Sequence, residues 1–187
     1  GADDVDPLRV KRSMITAQRL LQPKAALLQI LLPQSCPGYG AAVVREVARL
    51  ANQCQEWGLV LAQWDLWSDS DAECRYQAAL WREYPVKALE SAFVGFEDCA
   101  RGDHRFVESV QGLARVAASL GLGYVERVTP FIDAIEDLNV SSALSRQVAD
   151  FFLRQADDPQ QALAWYQKVF AFKPESQGVI EGLAECL

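Results

Sequence analysis

Apolar residues recur along this chain every three or four positions, and almost nowhere in strict alternation. The pattern is clearest over residues 144–187. Leu144, Val148, Phe151 and Phe152 share one helical face, since steps of three and four return a side chain to the same side of a helix. Asp157-Asp158-Pro159 then interrupts the run. Asp158 suits an N-cap, Pro159 the first helical position, and Gln161 the third position of a capping box. The following helix carries Ala162, Trp165, Tyr166, Val169 and Phe170 on one face, with Lys173 in its last turn and Pro174 as its stop. Ser176 can cap a third helix with the stripe Ile180, Leu183, Ala184 and Leu187. The spacing therefore predicts helix, tight turn, helix, stop, and the first helix of a further pair.

The same grammar extends backwards. Residues 7–32 form two helical segments divided by Pro23, the first basic on its outer face through Arg9, Lys11, Arg12 and Arg19, the second apolar nearly all round. Pro33–Gly40 is a loop by its proline and glycine content, and the best internal boundary. From Ala41 come successive stripes: Val43, Val47, Leu50, Ala51 and Cys54; Trp57, Val60, Leu61, Trp64 and Trp67; Tyr76, Ala79 and Leu80 after a capping box at Ser70–Glu73. Ala88, Leu89, Ala92, Phe93 and Phe96 follow, then Phe106, Val110, Leu113, Ala117 and Leu120, then Tyr124, Val128, Phe131, Ile132 and Ile135. Pro130 inside the last run either kinks that helix or starts a new one, and Asn139 closes it. Tryptophans at helical spacing read as a packed core stripe.

The helix-opening anchors Val47, Leu80, Leu113, Val148 and Leu183 are periodic: 47 to 80 and 80 to 113 are steps of 33 residues, and 113 to 148 and 148 to 183 are steps of 35. Together with Val148-Ala149, Phe152, Ala156, Ala162, Tyr166, Val169, Pro174, Leu183-Ala184 and Leu187, this spacing resembles the tetratricopeptide repeat (TPR), a helix-turn-helix unit of ~34 residues. The match departs in a turn longer by about one residue at Asp157-Asp158-Pro159 and in Ala156 where glycine is commoner. The resemblance implies an all-α fold, a right-handed α-solenoid of stacked helical hairpins with some repeats degenerate. The expected organisation is a tail or expression remnant over 1–6, an N-terminal helical pair over 7–33, and a TPR-like array over 41–187 whose last repeat is incomplete. The unfinished last hairpin implies further repeats in a parent protein, or self-association through the C-terminal helix.

Composition narrows the partners. Half of the 187 residues are hydrophobic, which argues against disorder. A formal net charge of -7 disfavours a phosphate backbone or an anionic membrane as the main partner. No apolar run is long enough to insert in a bilayer, and the acidic start GADDVDP is no secretory signal. The five cysteines are widely spaced, odd in number and without a CxxC pair, so they read as reduced thiols of a cytoplasmic protein. A periplasmic location follows instead if a signal has been removed.

Candidate chemistry is sparse. One histidine, His104, lies in a polar turn and supports neither a zinc cluster nor a triad. No phosphate-binding glycine loop follows a strand; Gly38-Tyr39-Gly40 stands alone. The expectation is therefore no catalytic, metal-binding or cofactor-binding residue, and no cofactor. What remains is binding. The resemblance places groove-lining positions at Arg45, Arg49 and Asn52 on one helix and at Arg146, Asp150 and Arg154 on a later one. In TPR proteins such positions hold a peptide or a partner helix, some of them clamping a C-terminal carboxylate with basic residues and asparagine. Arg75 and Arg82 would supply the second half of a clamp begun by Arg45, Arg49 and Asn52. The expected function is a protein–protein interaction scaffold with a protein or peptide partner and no nucleic acid. The alternative is an accessory TPR segment of a larger enzyme or export assembly, such as one for bacterial polysaccharide synthesis or secretion.

Overall fold

Local sequence signals decide where the helices begin and stop. A computed structural model describes residues 23–24, 40–67 and 72–187. Pro23 and Lys24 are helical; the rest of the expected tail, helical pair and Pro33–Gly40 loop, and the Ser70 end of the capping box, lie outside the described residues, except that Gly40 opens a helix. All regular structure among the described residues is α-helical, without strands. No helix among them is long and apolar enough to cross a membrane. The chain divides into two compact units, Gly1–Lys87 and Ala88–Leu187. The hairpin anticipated between the Tyr76 and Phe96 stripes therefore spans a unit boundary.

In the first unit α1 (Gly40–Cys54), α2 (Trp57–Trp67) and α3 (Ala72–Glu83) enclose one core. The break between α1 and α2 is sharp because Gln55 adopts φ 58°. Trp57 Nε1 donates to Asn52 Oδ1 at 2.8 Å across that break. α3 packs on both α1 and α2. Its Trp81 ring stacks on Trp64, centroids 4.5 Å apart and planes 8° from parallel. Both rings are buried with Val47, Leu50, Val60 and Leu61, and Trp57 packs half-buried against them, so Trp64 of the tryptophan stripe is core, each fully buried large apolar side chain contributing about 1.5–3 kcal/mol of transfer free energy. Arg82 is paired with Asp65, tying α3 to α2.

The second unit holds α4 (Leu89–Arg101), α5 (Phe106–Leu120), α6 (Leu122–Asp133), α7 (Leu138–Arg154), α8 (Pro159–Phe172) and α9 (Gln177–Glu185). α4 packs on α5, α5 on α6, α7 on α8, and α8 on α9. In addition α7 reaches both α5 and α6, and α9 reaches α7. Gly121 separates α5 from α6 at φ 109°, a conformation closed to residues with a Cβ, while its N–H donates to the Ala117 carbonyl at 2.9 Å. α6 runs through Pro130 without restarting. Proline removes the N–H that would serve the Glu126 carbonyl, and the Thr129 hydroxyl donates to that carbonyl instead, at 2.9 Å. α4 and α6 are joined by charge: buried Glu97 accepts from Arg101 at 3.2 Å and from Arg127 at 2.6 Å. Arg127 lies over Phe93, 4.6 Å from the ring centre.

Three local expectations are corrected. Asn139 does not close a helix; it sits in the first turn of α7, because the Asp137 carboxylate accepts from the Asn139 and Val140 amides and caps that helix. Phe170 of α8, expected inside, is 39 % exposed. In α9 the buried side is Val179 and Gly182, with Leu183 half-buried and Ile180, Ala184 and Leu187 exposed. The cause is steric. The Tyr166 ring lies against Gly182 so closely that a Cβ there would be 2.3 Å from Cζ. Elsewhere the capping at Asp158 is as expected, its carboxylate accepting from the Gln161 amide at 3.0 Å.

Candidate functional site

Within the second unit α7 presents a row of polar residues, Asn139, Arg146, Gln147 and Asp150, with Ala143 among them, away from the core stripe of Leu144, Val148 and Phe151. Steps of three and four keep these residues on one side of the helix. The row borders two adjoining clefts. One, of about 340 Å³, is lined by Gln111 and Arg115 of α5 and by Asn139, Val140, Ala143 and Gln147 of α7. The other, of about 410 Å³, is lined by Ala143, Arg146, Gln147 and Asp150 of α7, by Lys173 just past α8, and by Val179 of α9. Ala143 and Gln147 line both, so the two clefts meet along α7.

The two clefts hold three cations, Arg115, Arg146 and Lys173, and a single carboxylate, Asp150, in a chain of net charge -7. That carboxylate is already engaged. The Tyr166 hydroxyl donates to Asp150 Oδ1 at 2.5 Å, while Oδ2 lies 3.8 Å from Arg146 Nε. Burial, reinforced by the hydrogen bond to Asp150, holds the Tyr166 hydroxyl protonated well above the ordinary tyrosine range. The terminal nitrogens of Arg146 lie over the first turn of α9, where a Cβ on Gly178 would come within 2.4 Å of Nη2.

Of the six residues expected in a groove, Arg146 and Asp150 come together in the second cleft. Arg154 is exposed in the last turn of α7, close enough for its charge to act on Tyr166. Arg45, Arg49 and Asn52 lie on the exposed side of α1, in the other unit. Asn52 Oδ1 accepts from the Trp57 indole N–H. Arg82, expected to complete a clamp, is bound to Asp65. Lys173, Gln147, Gln111 and Arg115 were not anticipated. The repeat step of 35 residues from Leu113 to Val148 carries Gln111 onto Arg146 and Arg115 onto Asp150, which is the signal that could have found two of them. Among the described residues no cluster of three or more His, Cys, Asp or Glu side chains could hold a metal ion. No protein-family model, curated protein or solved structure matches the chain.

Proposed function

We propose that the second unit is a peptide-binding module, built as a right-handed TPR-like solenoid, which holds an extended segment of a partner protein across α5, α7 and α9. The observation that carries the reading is the pair of neighbouring clefts that share Ala143 and Gln147 as lining. The amides of Gln111, Asn139 and Gln147 offer donors and acceptors to the backbone of an extended chain. Val140 and Ala143 offer apolar seats between them. The packing order supports the solenoid: each of α7 and α9 contacts both helices of the pair before it, as neighbour-stabilised repeats require.

The test is a short-peptide array screened with the protein and with Ala143→Trp. Ala143 is exposed at the join of the clefts, so the large ring blocks the groove without entering the core. The parent should capture a subset of peptides, and Ala143→Trp should lose them at an unchanged melting temperature. Equal capture by both proteins refutes the groove, as does capture of nothing by the parent.

A further inference from the structure

We propose that the bound segment presents an anionic side chain, a carboxylate or a phosphate, to Arg146 and Lys173, and that Tyr166 is a positioning residue which keeps Arg146 available for it by holding Asp150. The inference rests on the peptide-groove reading and gives it a charge. Arg146 and Lys173 are exposed and line the same cleft. Asp150 is their natural competitor. A carboxylate one turn from an arginine on a helix ordinarily takes it as an ion pair. Here the short hydrogen bond from Tyr166 occupies one Asp150 oxygen, and the ion pair with Arg146 is left long, 3.8 Å from Oδ2 to Nε and beyond hydrogen-bond range. The two terminal nitrogens of Arg146, the fork that matches an anion with two oxygens, are left beside the cleft and the Gly178 backbone. Glycine at 178 makes room for that guanidinium, since a Cβ would stand within 3.0 Å of three of its atoms.

The experiment uses fluorescein-labelled peptides in which alanine alternates with Glu, phosphoserine, Gln or Lys, titrated against the full chain by fluorescence anisotropy. The Glu or the phosphoserine peptide should bind more tightly than the Gln peptide, the Lys peptide least, and the preference should shrink as salt rises. A stronger signal from Glu assigns the anion as a carboxylate, and one from phosphoserine assigns it as a phosphate. Arg146→Gln and Lys173→Gln should each lower the preference for anion over Gln by about tenfold. Tyr166→Phe keeps the ring on Gly182 and removes the hydroxyl. It should cut the same preference several-fold while leaving Gln-peptide affinity unchanged, a readout that loss of packing would not produce. Equal affinity for Glu, phosphoserine and Gln peptides, with binding still blocked by Ala143→Trp, overturns the charge assignment and leaves the groove standing. Absence of binding by every peptide overturns both. A preference intact in Tyr166→Phe overturns the positioning role.

Discussion

Replacing Gly182 by alanine adds one methyl group, yet the structure leaves it no space. The new Cβ would stand 2.3 Å from Tyr166 Cζ and 2.6 and 2.7 Å from the two Cε atoms. The ring cannot withdraw, because it is fully buried and its hydroxyl is held by Asp150. Either α9 shifts on α8 at an overpacking cost of about 1–3 kcal/mol, or it undocks. Undocking exposes Val179, now fully buried, at about 1.5–3 kcal/mol. Both routes give a loss of about 1–3 kcal/mol, and a domain of this size loses roughly 4–8 °C for each kcal/mol. Thermal denaturation followed by circular dichroism reads the shift, and amide hydrogen exchange tells the routes apart: undocking unprotects 177–185 while α7 and α8 stay protected. Gly178→Ala is the control. Its Cβ meets the end of a mobile arginine, 46 % exposed, that can swing aside, and alanine favours helix by up to about 1 kcal/mol over glycine. That variant should match the parent or exceed it. An unchanged midpoint with full protection of α9 in Gly182→Ala would refute the account of how α9 is seated.

In the first unit, Trp81→Ala removes the partner stacked on Trp64 and should cost about 3–5 kcal/mol, measured by urea unfolding with tryptophan emission as the probe; a loss below 1 kcal/mol, on the order of a surface change, would contradict its place in the core. Raised pH should weaken the second unit through Tyr166. Its hydroxyl is held protonated in the fold above the ordinary value of about 10. The unfolded chain therefore releases that proton first, and stability is full below that pH and falls as pH climbs past it. Tyr166→Phe should flatten that alkaline decline, and an identical decline in both proteins would exclude Tyr166 as its source.

The helices were legible because their signals are local and redundant. Asp158, Pro159 and Pro174 mark the limits of α8, and Leu113 and Val148 each sit in a buried stripe. The failures share a physical cause. Asn139 reads as a stop only if Asp137 is not a cap, and periodicity cannot choose between them. In α9, Ile180, Leu183, Ala184 and Leu187 form as regular a stripe as any, but the contact is made by Gly182, a residue with no hydrophobic signal. A close approach is set by the partner ring. The site was half legible for a similar reason. Arg146 and Asp150 follow from the repeat position, whereas Lys173 looked like a cation placed for the helix dipole and reaches the cleft only through the turn after α8. Asn52 has the right chemistry at a groove position but is committed to Trp57, five residues on.

The double grip on Glu97 has a consequence for how the chain tolerates change. Two arginines from different helices serve one buried carboxylate, and both are substantially exposed, at 65 % and 46 %. Either can be replaced while the other still neutralises Glu97, so each single loss is mild. Losing both strands a charge in a dry setting, which is far more damaging than the two single losses added together. The neutralisation of Glu97 therefore has built-in redundancy, one arginine on its own helix α4 and one on α6, and drift at one is mild until the second is touched.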